Sequence, residues 1–239
     1  MRRMIVSCFA LMTAAAALGS NSALAQMMPG GGGQMPGRPS GQSIDPSGEP
    51  IASSSSSEKP DAAAKKAFKA GMKSLGKAKE YEAAADSAPN ADKKTNAIGK
   101  MNDAYSKALD EFTEALSNKS DMVEAWDNVG YVHLHLRAYR EAVDDYNHVL
   151  VLKPDLQEAI EHRGEAYVAI DRLDEAKIAY MDLYNHSPVL AAQLMQAMQK
   201  WLADHRTDAH GMRAADVEAF DKWLQERDGI AKQTASLPH

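Results

Sequence analysis

The sequence predicts an all-α fold: a stack of antiparallel helix pairs closed by capping helices at its C-terminal end. Three observations carry this. From Asp61 onward Ala, Lys, Glu and Leu become frequent and apolar residues recur at helical spacing. The stretch from Val123 to Pro154 returns, position for position, 34 residues later. Aromatic residues make up only 6% of the 239, too few for a large aromatic-rich β-sandwich. The remaining composition is that of an ordinary globular chain, 44% hydrophobic and 25% charged. The net charge of −6 argues against bulk nucleic-acid binding, whose footprint is basic. A single cysteine, Cys8, excludes a disulfide framework and a cysteine-rich metal site.

The first 25 residues read as an export signal. Arg2 and Arg3 form a short basic region, Met4 to Gly19 is apolar and uncharged, and Ala23-Leu24-Ala25 is an A-x-A cleavage pattern. The apolar run is short for a membrane span, and no second long one follows. Only seven residues precede Cys8, too few for the leader of a lipoprotein. Cleavage after Ala25 leaves a chain of net charge −8 with no cysteine and no integral membrane segment. The Ala-rich leader points to a bacterial periplasm. Residues 26–60 are dominated by Gly, Pro and Ser, with glycines at Gly30 to Gly33 and serines at Ser53 to Ser57. Such a segment has too little apolar surface to offset its ordering entropy, and reads as a disordered tether spanning roughly 30–35 Å.

Residues 123–156 and 157–190 form the tandem. Counting Val123 as position 1, the first unit has Trp126 at position 4, Val129 at 7, Gly130 at 8, Tyr139 at 17, Ala142 at 20, Tyr146 at 24 and Pro154 at 32. The second unit has Ile160, Arg163, Gly164, Leu173, Ala176, Tyr180 and Pro188 at the same places, with Tyr167 at position 11. Small residues at positions 8 and 20 let two antiparallel helices approach closely, and large residues fill the space beside them. Pro154 and Pro188 cannot continue a helix and are expected to end each unit. A lone helix pair leaves an apolar face uncovered, so the units must stack.

This pattern resembles the tetratricopeptide repeat. The resemblance rests on W-D-N-V-G at Trp126 to Gly130, on Tyr139, Ala142 and Tyr146, and on R-G-E-A-Y and L-D-E-A-K-I-A-Y at Arg163 and Leu173. It implies a right-handed superhelix of helix pairs and a non-catalytic interaction module without a cofactor. Three positions depart from it. Position 15, usually glycine, is Arg137 and then Asp171. Position 27, usually alanine, is Val149 and then Leu183. Arg163 stands where an aliphatic residue is usual.

Residues 61–122 carry weaker copies. Tyr105, Ala108, Phe112 and Ala115 match the second helix of a preceding unit, with Ser120 in place of its proline. Phe68, Leu75, Tyr81 and Ala84 fit one more partial unit, interrupted at Pro89-Asn90. Two arrangements remain open: one long-helix unit with an insertion near residues 85–95, or two worn units. In residues 191–239, Leu194, Met198, Trp201 and Leu202 continue an amphipathic helix of about 189–204. Val217, Phe220 and Leu224 mark a second helix of about 214–227. Both read as a cap, and Met181, Met195 and Met198 as core rather than a partner groove.

No nucleophile elbow, phosphate loop, H-E-x-x-H or C-x-x-C occurs. His133, at position 11, is expected to be a packed histidine. Glu158 and His162, four apart on one helix, could share a metal with His135, but spacing specifies no further ligand and a solvated Glu–His pair is the simpler reading. In the repeat family the first helix of each pair lines the inner face. The resemblance therefore places Glu124, Asp127, Asn128, Tyr131, Leu134 and His135 there, followed by Glu158, Glu161, His162, Glu165, Val168 and Ala169. Five of these are acids and none is Lys or Arg. One-signed surfaces attract the opposite charge, so the expected partner is a protein or peptide segment with basic residues. The family's clamp for acidic peptide tails is not expected, because Glu158 and His162 stand where its basic residues belong. A self-assembling structural protein of the periplasm is the alternative. Terminal sequencing of the exported protein should begin at Gln26, and a chain that keeps Met1 would mean a retained anchor.

Overall fold

The computed structural model describes residues 58–207 and 211–235. The expected signal peptide and all but the last three residues of the expected tether lie outside them. Among the described residues there are eight helices and no strand. They are α1 (Glu58–Asp86), α2 (Ala91–Asn118), α3 (Val123–His135), α4 (Tyr139–Leu152), α5 (Gln157–Ala169), α6 (Leu173–His186), α7 (Pro188–Thr207) and α8 (Ala214–Ala235). Consecutive helices pack as antiparallel pairs, α1 with α2, α3 with α4 and α5 with α6, and α7 and α8 close the stack. This is the tetratricopeptide-repeat architecture. Among the described residues no helix is long and apolar enough to cross a membrane.

Each pair is held at one close approach. A Cβ at Gly130 would sit 2.9 Å from Cζ of Tyr146, and one at Gly71 would sit 2.6 Å from the Phe112 ring. At Gly164 the neighbours are Leu194 of α7, at 2.7 Å, and Ala179. Tyr146, Phe112 and Leu194 are fully buried. The glycines bring the helix backbones together, and the large side chains fill the space that the missing Cβ atoms leave.

The first pair is a single long hairpin. Its register follows from a polar contact that recurs. His133 Nδ1 of α3 lies 2.5 Å from Asp145 Oδ2 of α4, at repeat positions 11 and 23. Ser74 of α1 donates to Glu111 of α2 at 2.6 Å, and Gly71, three residues before Ser74, faces Phe112 just as Gly130 faces Tyr146. The paired residues are 37 apart in the first pair and 12 in the second. The difference of 25 is about seven helical turns, shared between α1 and α2. Pro89 and Asn90 form the turn, and Asn90 caps α2 by accepting from the amide of Lys93.

The turns inside the next two pairs have three residues each, and the middle one is left-handed, Arg137 at φ 63° and Asp171 at φ 62°. These are the two positions where the family usually has glycine. The amides of Ala138 and Arg172 return to the carbonyls of His133 and Tyr167, closing each helix with a Schellman turn. Asp171 is held there by its carboxylate, which accepts from Trp201 Nε1 of α7 at 2.8 Å. Pro154 lies in the turn after α4, but Pro188 opens α7 rather than ending a unit. Its missing N–H falls among the unbonded first-turn amides, and only Ser187 separates α6 from α7.

Two apolar clusters build the core, one from α1 to α3 and one from α4 to α8, and Trp126 packs against both. Its indole N–H donates to the carbonyl of Ser120, the residue in the place of the missing proline. Met195 and Met198 are buried core, and Met181 packs against it. Arg163 turns back to α4, where it donates to Asn147. Trp201 meets Phe220 of α8 edge-on at 5.3 Å, and Tyr180 meets Trp223 at 5.5 Å. The cap is therefore fastened through aromatic rings.

Overpacking at the close approaches should be measurable. Gly130→Ala and Gly71→Ala should each destabilise by about 1–3 kcal/mol in urea unfolding. Gly76 and Gly99, inside helices with nothing near their Cβ positions, provide the contrast. There alanine should stabilise by about 0.5–1 kcal/mol through helix propensity alone.

Candidate functional site: the inner face of α1, α3 and α5

The first helices of the pairs present their side chains to one another. Lys79 of α1 places its ammonium 4.6 Å from the ring centroid of Tyr131 on α3. Glu82 of α1 lies 3.6 Å from His135 Nδ1. The Tyr131 ring lies 4.3 Å from that of His135 and 5.9 Å from that of His162 on α5. His135 also stacks on Tyr105 of α2 at 5.0 Å, and the Tyr105 hydroxyl donates to Glu82. Tyr131, His135, Glu161, His162 and Glu165 thus form one connected group, and Asp127 is related to it through Tyr146, whose hydroxyl feels the charges of Asp127, Glu165 and Glu161. Glu124 and Glu158 stand exposed at its border. Asn128 is turned back, its amide donating to the carbonyl of Glu124.

The depth of these residues differs from what helical spacing alone suggests. Glu161 is only 4% exposed. Burial, together with the charge of Glu165 and their shared hydrogen bond, pushes the Glu161 carboxyl up to about 9. Burial raises Glu165 as well, while His135 and the bond from Glu161 pull it back. At neutral pH Glu161 keeps its proton and shares it in a hydrogen bond with Glu165. Asp127 is raised by burial and by the charges of Glu158 and Glu124. His162 is pushed down to about 4 by burial and by His135, so its imidazole is neutral at pH 7. Its nearest carboxylate is Glu161, 3.5 Å from Nε2, rather than Glu158 one turn earlier.

Three polar atoms here have no hydrogen-bond partner and no contact with solvent: Asp127 Oδ1 on α3, the Tyr146 hydroxyl on α4 and His162 Nδ1 on α5. Tyr146 reaches the face from behind. Its ring crosses α3 at Gly130, and the charges that act on its hydroxyl are those of Asp127, Glu165 and Glu161. Tyr146, Lys79 and Glu82 are the members of the site that the repeat pattern alone did not point to. Tyr146 could have been found from its place opposite the obligatory small residue. Lys79 and Glu82 are reached because α1 runs past the length of an ordinary repeat helix. His133 lies outside this group, paired with Asp145 between α3 and α4. Among the described residues no three His, Cys, Asp or Glu side chains come together in a way that could hold a metal, His135, Glu158 and His162 included.

No protein-family model matches the chain, and no curated protein matches it. Solved structures similar to it include the first TPR domain of Spaghetti (RPAP3) bound to the HSP90 peptide SRMEEVD. That domain is 21% identical, with 55% of this chain and 93% of that chain covered at a TM-score of 0.40. The Arabidopsis OM64 TPR domain is 18% identical, with 56% and 98% covered and a TM-score of 0.40. The crystal structure of MamA is 19% identical, with 65% and 89% covered and a TM-score of 0.36.

Glu161 and His162 give stability an opposed dependence on pH. Glu161 is raised, so the native state holds a proton that the unfolded chain loses above about 4.5, and stability falls as pH climbs towards 9. His162 is lowered, so its contribution is present above about 6.5 and lost as pH falls towards 4. Of these two groups only Glu161 acts above pH 6.5. Thermal melts should show stability declining from pH 6.5 to 9, by at most about 1.4 kcal/mol per unit. Glu161→Gln, which keeps a donor for Glu165, should flatten that decline.

Proposed function

We propose that the chain is a non-catalytic protein-interaction scaffold of the bacterial cell envelope, exported to the periplasm, which binds a partner segment carrying basic residues on the inner face of α3 and α5. The observation that carries this reading is the set of acids that α3 and α5 bring to a face where Lys79 of α1 stands over Tyr131. Glu124, Asp127, Glu158, Glu161 and Glu165 come from two neighbouring helices, and neither helix contributes a Lys or Arg to it. A field of one sign on a partly desolvated surface raises the local concentration of opposite charge and excludes acidic partners. Tyr131, next to the acids and half-buried, already holds one cation, the Lys79 ammonium, 4.6 Å from its ring centroid. The order of basic, apolar and A-x-A segments in residues 1–25 supports export.

The test follows from depth. Charge reversal at buried Glu161 would confuse folding with binding, whereas Glu124 and Glu158 are exposed and can be reversed without loss of packing. In-cell crosslinking and capture with Glu124→Lys/Glu158→Lys should lose, by at least about tenfold, the partner held by the wild type. Far-ultraviolet circular dichroism should be unchanged. Equal capture by both proteins would move the site off this face, and capture of nothing but itself would favour self-assembly.

A further inference from the structure

We propose that the inner face contains a slot for one cationic side chain, a lysine ammonium or an arginine guanidinium of the partner, seated between Asp127 on α3 and the Glu161–Glu165 pair on α5 above the hydroxyl of Tyr146. This rests on the acidic-face reading and adds to it the point of attachment.

Three helices each bring an unmet polar atom to this place. Tyr146 is fully buried, and its position is enforced by packing rather than by a hydrogen bond, because its Cζ is pressed against Gly130. A hydroxyl held out of water without a partner is costly, as is the Oδ1 of Asp127, the carboxyl whose charge bears on that hydroxyl. His162 adds a third atom. In the tautomer that donates from Nε2 towards Glu161, its Nδ1 is a free acceptor. The unmet capacity is therefore mainly for donors. An ammonium brings three N–H groups and a guanidinium five, both with the charge that three carboxyl groups favour.

The slot exchanges one cation for another. In the free protein Glu161 keeps its proton, shared in a hydrogen bond with Glu165. When the cationic side chain enters, that proton leaves to solvent, both carboxylates become charged, and the ligand's charge replaces the proton's. The titratable groups that face the pair come from several helices, and α4 brings Tyr146 and Tyr139, both raised by burial and by the charge of Glu165. On α5 the neighbours are Glu158, in electrostatic range of Asp127, and His162, which is neutral. From α3 come Asp127, Tyr131 and His135, the last turned to Glu82, and from α1 comes Lys79, over the Tyr131 ring. α7, packed on the far side of α5, has no ionisable residue from Pro188 to Gln199. The acids Asp174, Glu175 and Asp182 of α6 are paired with Lys177, Arg172 and His186.

The full-length protein can be titrated with three capped peptides, Gly-Ser-X-Ser-Gly, in which X is arginine, lysine or the neutral isostere citrulline. Calorimetry in buffers of different ionisation enthalpy counts the protons released. The arginine or lysine peptide should bind, the citrulline peptide should not, and about one proton should be released at pH 7. Affinity should then rise by up to about tenfold per pH unit between pH 6 and 8. Glu161→Gln should abolish both the release and the pH slope. Tyr146→Phe removes only a hydroxyl that the free protein leaves unbonded. It should melt no lower than the wild type and bind the cationic peptides several-fold more weakly, which keeps the slot testable should Glu161→Gln fold poorly. Cationic binding without proton release, and indifferent to both substitutions, would overturn the slot while leaving the acidic face standing. Absence of any preference for the cationic peptides would overturn both.

Discussion

The close approach of two helices at a glycine governs this molecule. Gly71, Gly130 and Gly164 each leave out a Cβ where a neighbouring side chain must pass. Helix backbones that close leave no room for a second arrangement, so the approach sets spacing and register together. It also determines what the inner face contains. Tyr146 belongs to α4, on the outer row, yet its hydroxyl arrives among the acids of α3 and α5 because its ring crosses at Gly130. A packing rule of the repeat thereby becomes a chemical feature of the site.

The polar contact at positions 11 and 23 shows how far the first pair has departed from its neighbours. Ser74–Glu111 and His133–Asp145 are chemically different but geometrically equivalent, and the third pair replaces them with Tyr167 and Ala179. Interhelical hydrogen bonding is tolerated there but not required. Beyond that contact α1 runs about 15 Å further than α3, and α2 about 21 Å further than α4. An insertion close to a whole number of turns keeps the apolar stripe on the same side, so the pair can lengthen without losing its seam. The same extension brings Lys79 and Glu82 to Tyr131 and His135.

The tandem units were legible in the sequence because sterics spare few residue types at positions 8, 20 and 24. The cap was legible in its start, since Leu194, Met198, Trp201 and Leu202 keep helical period. The first pair was legible only as two open arrangements, because a pattern with a fixed period of 34 cannot register an insertion that preserves the seam while shifting the count. Position 15 was read as a departure, and the structure shows why it is tolerated: Asp171 adopts the left-handed turn with its carboxylate tied to Trp201. The partner of His133 was missed because Asp145 lies 12 residues away on another helix, where no local spacing rule applies.

The charge of the inner face was the least legible quantity. Helical period assigns a residue to a face but not to a depth, and for a carboxyl group depth decides the charge. Counting acids along α3 and α5 gives five negative charges, whereas the buried Glu161 keeps its proton at neutral pH. Glu124 and Glu158, exposed at the border, stay fully solvated, so they can steer a partner at long range but hold it weakly. Asp127, Glu161 and Glu165, deeper and poorer in water, contribute less to the distant field and more to any bond formed at contact. A face built this way divides attraction from attachment between different residues.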